Sequence, residues 1–163
     1  MTVWDQRPVE SANLFNPAFC GEIIRLCVKS YFKESGRTFP YALAFLVLPI
    51  VLYHDTRVTM SARQYSYLHV WVQDNMHLRV NFANRARELV PVTREAITFL
   101  LQIGALELSN DAALHANSYR RKKIGSQNEA SIASCYDKSE LLGKWFARAG
   151  DTATIYVMWG VKP

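Results

Sequence analysis

Residues 79–116 constrain the fold of this chain more than any other stretch, because they follow the order helix, tight turn, helix, two short strands. Leu78, Phe82, Ala86 and Leu89 recur at helical spacing, with Arg79, Arg85, Arg87 and Glu88 on the other faces, which predicts an amphipathic helix. Val90-Pro91-Val92 ends it, since proline turns the residue before it away from the helical basin. Thr93 then offers a side-chain oxygen suited to cap a second helix over residues 94–103, with Gly104 placed to close it in a left-handed conformation. Leu106-Glu107-Leu108 and residues 112–116 alternate around Ser109-Asn110-Asp111, which is hairpin-loop chemistry. A winged-helix-like segment over about residues 61–116 is therefore expected, and such a segment is a binding module first.

A winged helix suggests DNA, yet the second helix lacks the residues that read bases. At about a hundred degrees per residue, its apolar arc runs through Phe99, Ile103, Ala96, Leu100, Gly104, Ile97 and Leu101, leaving Arg94, Glu95, Thr98 and Gln102. Direct readout draws on Arg, Lys, Asn or Gln aimed into the major groove and backed by phosphate contacts. One arginine beside one glutamate does not supply it. The wide arc leaves two readings open: burial in this chain's own core, or a partner protein docked on Phe99 and Ile103.

The remaining elements are predicted from caps and periodicity. Asn16-Pro17 is a cap followed by proline at the first helical position, and Phe19, Ile23, Leu26, Cys27 and Tyr31 form a stripe up to Gly36. Residues 41–48 fit either a buried strand or the start of a helix, which Pro49 breaks before a short helical continuation. Ser61-Ala62-Arg63-Gln64 has the form of a capping box opening a helix with Tyr65, Leu68 and Val72. A loop over about 117–136 contains Arg120, Arg121, Lys122 and Lys123; Asp137-Lys138-Ser139-Glu140 then caps a helix with Leu141, Leu142, Trp145 and Phe146 on one apolar face. Thr152 to Trp159, rich in β-branched and aromatic residues, is expected as a closing strand. No repeat or linker divides the chain, so one α+β domain over 1–163, with more helix than strand, is expected.

Chemistry is absent by motif. With 163 residues, half of them hydrophobic, the chain can bury a sizeable core without staples. Three cysteines, Cys20, Cys27 and Cys135, show no metal-binding spacing, and Cys20 and Cys27, seven apart, suit core packing in a reducing cytoplasm. The polar first eight residues do not form a signal peptide, and the apolar run 41–53 is too short to cross a bilayer. There is no phosphate-binding loop, His-Glu-x-x-His or Gly-x-Ser-x-Gly pattern. His54, His69, His77 and His115 are scattered, and His54-Asp55 is a sequence neighbour pair without a third group. No catalytic residue, metal or cofactor is expected. Net charge is +5, and the run from Arg120 to Lys123 is either a solvated loop or a sequence-independent contact to phosphates.

Four segments together resemble a known family: Asn16-Pro17-Ala18-Phe19-Cys20; Phe45-Leu46-Val47-Leu48-Pro49-Ile50-Val51-Leu52 with Thr56-Arg57; Thr93-Arg94-Glu95-Ala96-Ile97 with Phe99-Leu100-Leu101; and Gly143-Lys144-Trp145-Phe146-Ala147 through Gly160-Val161-Lys162-Pro163. In order and span they are similar to the middle component of bacterial ABC three-component systems, a group that includes the small subunit of Lamassu-type antiphage defence complexes. The resemblance implies a non-enzymatic subunit between an SMC/Rad50-like ATPase and an effector, often a nuclease, responding to foreign DNA. It carries over no catalytic residue. Phe99, Ile103, Trp145 and Phe146 are then the candidate partner interface, and Arg120, Arg121, Lys122 and Lys123 the candidate DNA contact within the assembly. The alternative is a winged-helix transcriptional regulator, which needs a basic recognition helix.

Overall fold

A computed structural model describes residues 15–119 and 129–162. Its centre is helix α1, Pro17–Ser35, which starts as its cap predicts: the Asn16 side chain accepts from the Ala18 amide at 2.8 Å, and Pro17 occupies the first turn, where no donor is needed. Gly36, at φ 68°, closes the helix by donating to Phe32 O. Cys20, Ile23, Ile24, Cys27, Val28 and Tyr31 are all buried.

Beside α1, and parallel to it, runs the twenty-residue helix α7, Glu129–Arg148. The pairing is polar as well as apolar: Ser139 donates to Ile23 O, Ser30 donates to Glu140 O at 2.7 Å, and Arg148 meets Glu34 at 2.7 Å. Gly143 permits the close approach, since a Cβ there would lie 2.4 Å from Cys27 O. The expected start at 137–140 is thus corrected. Ile132, Cys135 and Tyr136 extend the inward stripe toward the N-terminus, and Ser139, mid-helix, uses its hydroxyl on the neighbouring helix rather than as a cap.

From Tyr41 to Glu88 the chain is made of short helices: a 3₁₀ turn at Tyr41–Leu43, α2 at Ala44–Val51, α3 at His54–Thr59, α4 at Leu68–Asp74, a second 3₁₀ turn at Met76–Arg79, and α5 at Phe82–Glu88. Pro49 lies inside α2 instead of breaking it. The carbonyls left open at the end of α2 find donors in Thr56, which reaches Ile50 O and Tyr53 O, and in Arg57, which reaches Val51 O and Leu52 O at 3.0 and 2.7 Å. Residues 61–64 do not open a helix. The Tyr65 amide bonds Ser61 O to close a turn, Lys138 takes Met60 O, and α4 begins only at Leu68. The helix expected through Leu78 and Phe82 is broken at Val80-Asn81, where Asn81 takes φ 58° and the Arg85 guanidinium collects Leu78 O and Val80 O at 3.0 Å each.

Helix α6 spans Val90–Gln102, so Pro91 sits in its first turn and Thr93 is interior, buried with its hydroxyl unpartnered, rather than capping. The proline that ends helices from inside begins one here, because its missing donor costs nothing in the first turn. Gly104 does adopt a left-handed conformation, φ 69°, with its amide on Leu101 O and the Ala105 amide on Leu100 O, both carbonyls of the last turn being satisfied. The hairpin follows as β2, Leu106–Leu108, and β3, Ala113–Ala116. A third strand, β1 at Phe39–Pro40, joins it, giving an antiparallel sheet of order β1-β3-β2 with Phe39 opposite Leu114 and Leu106 opposite Ala116.

The expected closing strand is helix α8, Thr152–Met158. Its β-branched residues lose to two local forces: Asp151 caps the helix by accepting from the Thr154 amide at 2.7 Å, and Ile155, Tyr156 and Trp159 fall on one buried face at helical spacing. Trp159 stacks on Phe82 at 4.3 Å and meets Trp71, which meets Trp145 at 5.1 Å, so an aromatic column ties α4, α5, α7 and α8 together. The result is one mostly helical domain with a small antiparallel sheet, the α+β class expected.

Candidate functional site

The outward side of α6 is where sequence and structure converge. Ala96, Ile97 and Leu100 face the core, while Phe99 and Leu101 are half-buried and Ile103 keeps 41% of its surface exposed. The centre of the apolar arc is thus core, and its edge is surface. Phe99, with Pro91, Arg94, Glu95, Thr98 and Gln102, borders an open groove of about 620 Å³ whose other wall begins at Pro17, the start of α1. Thr98 ties its hydroxyl back to Arg94 O at 2.8 Å, and Arg94 is exposed on the rim.

The electrostatics of this side do not suit a nucleic-acid backbone. Arg94 is followed by Glu95, and the hairpin carries exposed Glu107 and Asp111, the latter accepting from Ser109 in the turn. Anionic groups at the helix and at the hairpin tip would repel phosphates rather than neutralise them.

The other predicted positions separate. Trp145 and Phe146 are 1% and 0% exposed, so their apolar face is interior, against α1 and α4, and they leave the candidate interface. Arg120, Arg121, Lys122 and Lys123 lie outside the described residues. His54 and Asp55 stand exposed in the first turn of α3. Among the described residues no group of three His, Cys, Asp or Glu is placed to hold a metal, and no helix is long and apolar enough to cross a membrane. Cys20 and Cys27 are packing residues, as their spacing implied, and Cys135 is buried as well. Burial, with Cys135 and Glu95 nearby, pushes the Cys20 thiol up to about 12, and burial raises Cys27 and Cys135 too, so none is a ready nucleophile.

Sequence reasoning missed one buried charge cluster. On α1, Arg25 forms a bidentate pair with Glu22, at 2.8 and 2.9 Å, each side chain only 7% exposed. The hydrogen bonds that Arg25 donates to Glu22 raise the pKa of Arg25 against the opposing effect of burial. The guanidinium also reaches Asn117 O at 3.4 Å and lies 5.8 Å from the Tyr119 ring, so it fixes the chain as it leaves β3 toward the basic run. The available signal was Glu-x-x-Arg inside an otherwise apolar stripe, a spacing that pairs charges on one helix face.

Residues 4–163 match the family model described as ABC-three component (ABC-3C) system Middle Component 3. No curated protein and no solved structure matches the chain.

Proposed function

Since the chain belongs to the ABC three-component system middle component 3 family, we propose that it is a non-enzymatic bridging subunit, linking an SMC/Rad50-like ATPase to an effector such as a nuclease. It holds the effector in check until foreign DNA alters the assembly, as in an antiviral or anti-plasmid defence complex of the Lamassu kind, working in the cytoplasm. ATP hydrolysis and DNA cleavage belong to its partners. The observation that carries this reading is the outward face of α6, where Phe99 and Ile103 stay partly exposed beside an open groove. An apolar rim of this kind is what a protein partner covers.

Co-purification of the chain with the other components of its own system tests the proposal. Ile103→Asp with Thr98→Arg, both at exposed positions, should release a component from the complex while the subunit stays folded; a complex of unchanged composition and stability overturns the α6 interface. The basic run is tested in the intact complex: replacing Arg120, Arg121, Lys122 and Lys123 by Ala should weaken binding of a DNA duplex and flatten its salt dependence by roughly one log–log unit per lost phosphate contact. Unchanged affinity removes DNA contact from this chain.

The sheet order β1-β3-β2 behind two consecutive helices supports the winged-helix description, and with it the second reading, a DNA-binding regulator. Arg94-Glu95 on α6 and Glu107 and Asp111 on the hairpin argue against that reading.

A further inference from the structure

The α6 groove begins where the chain enters α1. Pro17, one of its walls, is the first residue of that helix, and α6 supplies Pro91, Arg94, Glu95, Phe99 and Gln102. Asn16 is held at φ −56° and ψ 124°, outside the helical basin, its carbonyl taking the Cys20 amide and its side chain the Ala18 amide. The chain thus departs from the helical path at Asn16, one residue before the groove wall. Residues 1–14, which come before it, lie outside the described residues.

The sequence of that stretch suits a groove lined by an aromatic ring, two prolines and one charge of each sign. Val3, Trp4, Pro8 and Val9 offer apolar side chains, with Asp5 and Arg7 between them, to set against Phe99 and the prolines and against Arg94 and Glu95. Reach is sufficient. From Phe15 back to Trp4 an extended chain covers about 35 Å, whereas α6 rises only about 16 Å between Pro91 and Gln102. The family match starts at Trp4, so these residues are matched together with the domain they precede. Attachment then outweighs modest affinity. A segment joined within about a dozen residues of its site meets it at an effective concentration on the order of millimolar. One that alone binds at about 0.1 mM would leave the groove open about one time in ten.

We infer that residues 3–9 of this chain cover the α6 groove of the free subunit, with Trp4 against Phe99, and that the component docked on α6 binds only by displacing them. The occupant is the chain's own segment because it is tethered at the groove wall, an advantage that no partner in solution has. A partner with an interface of ordinary size still wins, since it also covers Ile103, which stands exposed outside the groove lining. Docking on α6 is thereby a competition that weak partners lose. The inference rests on the bridging reading, whose α6 interface it regulates.

The cover is tested in the full chain alone, and the competition with the other components of its system. Gln102→Cys puts a thiol in the groove lining at an exposed position, and a maleimide probe reports it because Cys20, Cys27 and Cys135 are buried. Adding Trp4→Ser with Val9→Ser should raise the labelling rate several-fold, while Trp4→Phe, which keeps an apolar anchor, should label like the parent. Without the reporter, Trp4→Ser with Val9→Ser should tighten binding of the component docked on α6 by about tenfold, the reciprocal of the open fraction. Unchanged near-ultraviolet circular dichroism shows that each variant is folded. Equal labelling with and without the Trp4 and Val9 changes overturns the inference; if Ile103→Asp with Thr98→Arg still dissociates the complex, the bridging reading stands. Faster labelling with unchanged affinity means that the segment gates nothing, and the competition is lost. Weaker binding after the Trp4 and Val9 changes makes the segment part of the partner's docking surface, which also defeats the inference. A complex indifferent to Ile103→Asp with Thr98→Arg removes α6 from the bridging reading, and the competition with it. A wild-type labelling rate that falls as chain concentration rises identifies a second copy as the cover instead, and sinks the tethered one.

Discussion

Helices α1 and α6 have similar apolar stripes, but one is the centre of the molecule and the other its rim. Around α1 the neighbours close on the run from Cys20 to Val28, every residue of which is buried, while Phe32 near its end stays 43% exposed. Residues as polar as Glu22, Arg25 and Ser30 are buried there, and each is hydrogen-bonded. On α6, Ala96, Ile97 and Leu100 complete the core while Ile103 stays out and Phe99 is only half covered. Apolar content alone therefore does not separate folding surface from docking surface. What separates them is polar satisfaction: α1 buries Glu22, Arg25 and Ser30 each with a partner, whereas α6 buries Thr93 with its hydroxyl unpartnered.

If α1 is finished in this sense, the largest losses of stability come from its buried charges. Glu22→Gln should destabilise the chain by about 3 kcal/mol, because it strands the guanidinium of Arg25 at a site where each side chain is only 7% exposed. Urea denaturation of the purified subunit measures it. The paired change Glu22→Met with Arg25→Met should recover most of the loss, since it removes both charges at once. Equal losses in the single and paired variants would mean that the cluster stabilises by shape and not by charge pairing.

The next largest effect sits at the α1–α7 contact. Gly143→Ala places a methyl carbon 2.4 Å from Cys27 O, a backbone atom that cannot step aside without moving α1. A cost of about 2–3 kcal/mol is expected from overpacking. Ser30→Ala, which removes the side-chain bond to Glu140 O but adds no bulk, should cost nearer 1 kcal/mol. The reverse order in thermal or urea melts would show that the helix pair is held by its hydroxyl bonds rather than by close approach.

On α6 the expected effect on stability is smaller still. Ile103→Asp should change the free energy of unfolding by no more than about 0.5 kcal/mol, as for other surface positions. A large loss in the isolated subunit would erase the contrast with α1, and would place Ile103 in this chain's own packing.

Much of this division was legible in the sequence. Asn16-Pro17, the α1 stripe, the hairpin residues and the left-handed closure at Gly104 all rest on local chemistry, and each is found. Local signals failed where tertiary contacts supply what a local cap or breaker would have decided. Pro49 stays inside α2, and that helix ends only beyond it, where Thr56 and Arg57 bond the last carbonyls. Thr93 looked like a cap, but proline two residues earlier starts the helix. Trp145 and Phe146 were assigned outward from an apolar face whose partner, α1, lies more than a hundred residues away in sequence and could not be read from spacing. The two grooves were not legible at all as grooves, since Met76 and Val80 meet Trp159 and Gly160, and Pro17 meets Phe99, only through the fold.

Helix α8 combines both behaviours, and its cap provides the smallest and most specific prediction. Ile155, Tyr156 and Trp159 face inward while Val157 faces out, and the element is a helix despite β-branched residues at Thr152, Thr154, Ile155 and Val157. Asp151 is the local reason. Its carboxylate accepts from Thr154, and those hydrogen bonds hold its pKa below the ordinary 3.8. A carboxyl group whose pKa is lowered by folding stabilises the folded state above its unfolded pKa and loses that contribution as pH falls through the folded value. Asp151→Ala should therefore lower the melting temperature slightly at pH 7, and the gap from wild type should narrow as pH falls below about 3.8. Asp151→Asn, which keeps an accepting oxygen, should lie between the two at pH 7 and show no such pH dependence. Thermal melts of the three proteins at pH 7 and pH 3 decide it. If Asp151→Ala loses no stability at either pH, then the inward face of Ile155, Tyr156 and Trp159 alone holds α8 as a helix, and the strand expectation failed for packing reasons and not for want of a recognised cap.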